Sequence, residues 1–208
     1  FHPDSTRERP FTLEDGSTRQ VPLMARTDDT RYHDGDGFAA VSLPYGEGRF
    51  TMDVLLPDED VSVAQFVERL DPETWADMVD GFEEEEVRLS LPKFTLEYEA
   101  ELNDVLTALG MGIAFDRNRA DFSGLVDLSA IGGNVYISKV KHKTFLEVNE
   151  EGSEAAAVTS VEMRLLSGGR IDEPQPIVFT VDRPFVITIR DTETGTLLFI
   201  GQITEPGE

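Results

Sequence analysis

The stretch EVNEEGSEAAAVTSVEMRLLSGG runs from Glu147 to Gly169. Its head reads as the end of a strand and its tail is a glycine pair. Between Gly152 and Gly168 there is neither Gly nor Pro. The residues there are too apolar for an ordinary exposed loop and too small to fill a core. Split by parity, Ser153, Ala155, Ala157, Thr159, Val161, Met163 and Leu165 are all small or apolar. Glu154, Ala156, Val158, Ser160, Glu162, Arg164 and Leu166 hold most of the polar groups. That is a period-two strand pattern with one buriable face. The face begins with very small side chains, which could slip between existing strands with little steric opposition. Gly152 permits a sharp reversal after the preceding strand. On the residues alone, a plain edge strand and an alanine-rich helix stay open as readings.

The 208 residues are enough for one good core or two small ones. With 39% hydrophobic and 28% charged residues the composition is that of a soluble globular protein. No apolar run approaches a membrane span. The net charge of −23 makes nucleic acid and anionic membranes poor partners. The only lysines are Lys93, Lys139, Lys141 and Lys143. An acid-rich, lysine-poor surface suits high salt, and GC-rich coding produces the same bias. There is no Cys, hence no disulfide, thiol nucleophile or cysteine metal site.

The flanking chain reads as α+β, dominated by strands. RFTMDVLLP, Arg49 to Pro57, is a buried strand ended by proline. VSVAQFVERL and DPETWADMVDGF have helical spacing, the second with Asp71 as N-cap and Pro72 at the first helical position. EVRLSLPKFTLEYEA reads as extended, and ELNDVLTALGMG as a helix closed by Gly110. NVYISKVKHKTFLEV, Asn134 to Val148, reads as one long strand. Tyr136, Ser138, Val140, His142, Thr144, Leu146 and Val148 lie on one face, and Lys139, Lys141, Lys143 and Glu147 on the other. PFVITIR and LLFIGQI form a hairpin around DTETGT, with Gly195 in the turn.

Catalytic chemistry is missing from the pattern. His2, His33 and His142 show no metal-ligand spacing, and His142, on an apolar face, reads as a hydrogen-bonded core residue. DGDG, Asp34 to Gly37, is half a calcium loop and reads as a hairpin turn. YGEGRF is a two-glycine turn, and Glu83 to Glu86 a solvated run between elements. No nucleophile motif such as G-x-S-x-G occurs. These absences argue against an enzyme.

EVNEEGSEAAAVTS resembles the reactive-loop hinge of the serpins, in the form found in inhibitory members. FTVDRPFVITIRDTETGTLLFIGQITEP resembles the serpin C-terminal signature, and LSLPKFTLEYEAELNDVLTALGMGIAFDRNRADFSGL the segment leading into the last helices. FHPDSTRERPF and VPLM are similar to the stretch after the breach region. The resemblance covers essentially all 208 residues. It implies the C-terminal part of a single serpin domain, mostly antiparallel and mixed sheets with a few helices and an exposed reactive loop at about 150–182. The family's N-terminal helices and two strands of its large sheet have no counterpart here, so the expectation is a piece of a longer protein.

The resemblance further implies a protease inhibitor that acts as a suicide substrate, with no catalytic residue, cofactor or metal of its own. The hinge would be Glu150, Glu151, Gly152, Ser153, Glu154, Ala155, Ala156, Ala157, Val158 and Thr159. Counting seventeen residues from Glu150 places the scissile bond between Leu166 and Ser167. SGGRIDEPQP makes the loop longer than usual, so Arg164 and Arg170 are alternatives. The partner would be a chymotrypsin-, elastase- or trypsin-like serine protease or a cysteine protease, met by a monomer in an extracellular or cell-envelope setting. His142 would lie where the sheet opens. A non-inhibitory serpin with a carrier, chaperone or storage role is the alternative, and a stand-alone binding module a third class.

Overall fold

The computed structural model describes residues 1–151 and 175–207. Their strands are β1 (Arg7–Thr12), β2 (Thr18–Gly35), β3 (Phe38–Tyr45), β4 (Phe50–Pro57), β5 (Glu83–Pro92), β6 (Phe94–Glu101), β7 (Lys141–Val148), β8 (Ile177–Thr180), β9 (Phe185–Asp191) and β10 (Leu197–Ile203). The helices are α1 (Val63–Arg69), α2 (Pro72–Asp80) and three single turns, α3 (Asn103–Leu106), α4 (Gly112–Phe115) and α5 (Leu128–Ile131). The chain divides into two compact units: Phe1–Thr95 with Glu147–Glu208, and Leu96–Leu146.

In the first unit eight strands form one sheet in the order β10-β9-β4-β3-β2-β5-β8, with β1 also paired to β2. The pairings are antiparallel except for β5 with β8, which is parallel. β9, late in the chain, thus lies inside the sheet between β4 and β10. From Thr51 on, every residue of β4 is buried, so both of its faces are covered, as its apolar run predicts. On one face Phe38, Ala40, Leu55 and Val186 meet Val63 and Phe66 of α1, Met78 of α2, and Phe82.

Local chemistry explains the helices and turns. Ser62 caps α1 in a capping box with Gln65. Asp71 accepts from the Thr74 amide at 2.8 Å and Pro72 opens α2, as the spacing predicts. DGDG is the two-residue turn Asp36–Gly37 between β2 and β3, where Gly37 takes φ +83. YGEGRF is the turn between β3 and β4. In the β9–β10 hairpin, Asp191 Oδ1 accepts from the amides of Glu193 and Thr194, and Gly195 takes φ +69.

Three expectations need correction. Glu83 to Glu86 is exposed, but it is the start of β5 rather than a run between elements. It pairs with Asp29 to Tyr32, which supply its backbone partners. Gly110 does not close its helix: at φ +99 it kinks the chain inside a wide turn, and α4 resumes at Gly112. The long strand expected from Asn134 is β7 alone, starting at Lys141. Upstream of it, Asn103 replaces a strand partner: its Nδ2 donates to the Ser138 carbonyl and its Oδ1 accepts from the Val140 amide. Ile137 N–H donates to the Ala114 carbonyl.

Met78 is fully buried beneath the sheet. Met78→Ala is expected to lower stability by about 2–5 kcal/mol, and Met78→Leu by less than about 1.5 kcal/mol, as read from urea unfolding curves.

Candidate functional site

The described chain before the hinge ends at a fixed point. β7 closes on Val148, which is buried. Asn149 then bends the backbone, its Oδ1 accepting from the Glu151 amide at 2.9 Å and its Nδ2 donating to Glu147 at 2.8 Å. Between them Glu150 turns inward, with its side chain only 13% exposed. Lys93 Nζ lies 2.9 Å from Glu150 Oε2. Thr6 Oγ1 donates to Glu150 Oε1 at 2.7 Å, and the Phe1 nitrogen donates to the Glu150 carbonyl at 3.2 Å. Lys93 stands at the break between β5 and β6, and its own amide is held by the Pro22 carbonyl. Glu150 therefore ties the hinge to two distant segments of the same unit, the N-terminal residues Phe1 to Thr6 and the β5–β6 break at Lys93.

Two effects compete at this carboxyl. Burial pushes its pKa up, but the hydrogen bonds from Lys93 and Thr6 outweigh it and hold the group below the ordinary glutamate value of 4.5. Charge-assisted bonds of this kind are among the stronger ones available to a protein.

In the second unit the lysine face of β7 meets β6. Lys139 pairs with Glu101 at 2.8 Å, Lys141 with Glu99 at 2.7 Å, and Lys143 with Glu99 at 3.9 Å. The hydrogen bond to Glu101 holds the Lys139 ammonium above its ordinary pKa. The alternation expected along this strand holds at Leu146 and Val148, which are buried, and at Lys141, Lys143 and Glu147, which are exposed. His142 departs from it. It is exposed, not in a core, and its ring stands 6.5 Å from Tyr98. Nothing in the described residues covers that end of the pair.

The sequence-predicted site is thus divided. The structure brings Glu150 and Glu151 into the anchor just described. Gly152, Ser153, Glu154, Ala155, Ala156, Ala157, Val158 and Thr159, and the bond candidates Leu166, Ser167, Arg164 and Arg170, lie outside the described residues. Lys93 and Thr6 escaped sequence reading, since ion pairs between distant segments leave no local pattern. One signal was available: Lys93 is the only lysine not on or beside β7. Among the described residues no group of His, Asp and Glu could hold a metal ion.

A family model described as serpin (serine protease inhibitor) matches residues 1–206. The chain belongs to the serpin family. Wheat serpin-Z1C is 36% identical to this serpin over 99% of the chain and 52% of its own length. Mouse antithrombin-III is 34% identical over 99% of the chain and 43% of its length. A serpin-like protein of Thermococcus kodakarensis, TK1782, is 36% identical over 99% and 46%. In three dimensions the chain is similar to the thermophilic serpin tengpin in its native state, with a TM-score of 0.80 at 33% identity, covering 99% of this chain and 51% of that one. Native protease nexin-1 with heparin gives 0.82 at 29% identity, covering 99% and 53%. The chain spans about half the length of the curated relatives it matches. The fold is that of a serpin portion: a large mixed sheet, a two-stranded sheet and few helices. Serpins are for the most part protease inhibitors rather than enzymes, and some members are non-inhibitory.

Because the Glu150 carboxyl titrates lower folded than unfolded, its stabilisation is present above pH 4.5 and is lost as pH falls through the folded value. Glu150→Gln is expected to cost about 1–2 kcal/mol at pH 7 and to approach the parent's stability as pH falls through the folded Glu150 value. Urea midpoints measured across pH check both statements.

Proposed function

We propose that the full-length protein inhibits a protease as a suicide substrate, its reactive loop being cut and then drawn into the large sheet as a new strand. The observation that carries this reading is the anchor at Glu150, immediately followed in sequence by Ser153, Ala155, Ala156 and Ala157. A fixed base with a run of small side chains after it suits insertion between strands. Non-inhibitory serpins usually place bulky, charged or proline residues at those positions, so the hinge composition weighs against the carrier, chaperone or storage alternative.

The driving force is sufficient on general grounds. About fourteen inserted residues span about 45 Å at ~3.3 Å each. At roughly 0.5–1.5 kcal/mol net per hydrogen bond, the added ladder yields on the order of 10 kcal/mol. That is comparable with the whole stability of an ordinary domain. Loop insertion into a sheet is the established behaviour of inhibitory serpins. The inhibitor needs no catalytic group, because the protease supplies the chemistry. Leu166 before the scissile bond suits a chymotrypsin-like, elastase-like or cathepsin-like pocket. Arg164 or Arg170 would suit a trypsin-like one.

The full-length protein is expected to form a protease complex that survives boiling in detergent, with mass spectrometry placing the cut after Leu166. A cut after Arg164 or Arg170 would change the register, and no stable complex with any serine or cysteine protease would sink inhibition. Ser153→Arg is expected to convert inhibitor into substrate, since its side chain enters the sheet first and burying an unpaired guanidinium costs several kcal/mol. Glu154→Arg, on the opposite face, should inhibit like the parent. Equal behaviour of the two variants would show the parity of the inserting strand to be wrong.

A further inference from the structure

The centre of the eight-stranded sheet carries polar side chains that the hinge does not use. Ser42 on β3, Thr51 and Asp53 on β4, and Thr188 and Arg190 on β9 are each exposed by 4% or less. Ser42, Asp53 and Thr188 are direct partners across three strands, and Thr51 is the partner of Arg190 one rung away, so all five share one face. Arg190 Nε donates to Asp53 Oδ2 at 2.6 Å, and Thr188 Oγ1 donates to the same oxygen at 3.4 Å. Asp53 Oδ1, Arg190 Nη2, Ser42 Oγ and Thr51 Oγ1 have no hydrogen-bond partner among the described residues. A buried ion pair left half satisfied is a poor source of stability, and apolar replacement of such pairs is often neutral or stabilising.

Its position suggests another use. Phe185, Ile187 and Ile189 alternate with Val186, Thr188 and Arg190 along β9. A slip of two residues would keep every side chain on its own face, so hydrophobicity alone specifies the register weakly. A different ion pair opposes each slip. Moving β9 two residues toward Phe50 would set Val186 against Asp53 and Arg190 against Arg49. Moving it the other way would set Arg190 directly against Asp53, keeping that pair, but would set Asp191 against Met52, which is 3% exposed, and separate Asp191 from Arg49. In the observed register Arg49 Nη2 lies 3.1 Å from Asp191 Oδ2. We infer that the buried Asp53–Arg190 pair is the register key of β9 against the slip toward Phe50, with Arg49–Asp191 opposing the other slip, and that its role is specificity rather than stability. The inference stands whichever function the protein has.

Cysteine crosslinking in the full-length protein tests it, and the 208 residues contain no cysteine of their own to interfere. Val54→Cys/Ile187→Cys reports the observed register, in which the two are direct partners. Met52→Cys/Ile187→Cys reports the slip; in the observed register these positions are diagonal neighbours at the outer limit of disulfide reach. The parent is expected to crosslink only through the first pair. In an Asp53→Leu/Arg190→Leu background the second pair should crosslink in at least a tenth of molecules, with the urea midpoint unchanged or raised. Asp53→Leu alone should lower that midpoint, because it leaves Arg190 buried and unpaired. The inference is overturned if the double variant shows no slipped crosslink, or loses as much stability as the single variant, or fails to fold. The reversed pair Asp53→Arg/Arg190→Asp should restore the single register, and a slipped crosslink there contradicts the key.

Discussion

The carboxylate of Glu150, gripped by Lys93 and Thr6, fixes the point at which β7 stops and the hinge begins. The chain after the hinge is fastened as firmly. β8 joins β5, and β9 lies inside the sheet between β4 and the edge strand β10. The segment between Glu151 and Gln175 therefore begins and ends at fixed points of one compact unit. On one side Glu150 is held by Lys93 and Thr6, and on the other β8 is held by β5.

Charge is deployed unevenly around this arrangement. The chain carries −23 and has four lysines, and every one of them meets a carboxylate: Lys93 at the anchor, Lys139, Lys141 and Lys143 along β6. The lysine–glutamate pairs on β7 are half exposed, so each adds little by itself and weakens with salt. The anchor differs, because Glu150 is shielded and receives a hydroxyl bond as well. Strong ionic screening should thus loosen the surface pairs well before it loosens the hinge. The sparse lysines are spent where strands beside the hinge must be held.

Much of the fold was legible because local chemistry dictates it. Asp71 and Pro72 mark the start of α2, the run from Thr51 to Pro57 marks a strand covered on both faces, and Gly195 marks the last hairpin. The small side chains at alternate positions after Gly152 lie outside the described residues. The failures come from contacts that local sequence does not carry. Residues ahead of Lys141 alternate like a strand, yet Asn103 takes their hydrogen bonds. His142 sits at a core-facing parity, but no described element covers it. The Lys93–Glu150 and Asp53–Arg190 pairs join segments far apart in sequence, and neither segment alone hints at the other.

The account rests on the claim that the uncut serpin is held short of its most stable state and that cutting the loop lets the hinge complete the large sheet. The direct measurement is the melting temperature of the full-length protein, intact and after a single cut between residues 152 and 174 by a protease it does not inhibit. With on the order of 10 kcal/mol released by the added strand, the cut form is expected to melt about 10 °C or more above the intact form. A cut protein that melts at the same temperature as the intact one, or below it, would contradict the account.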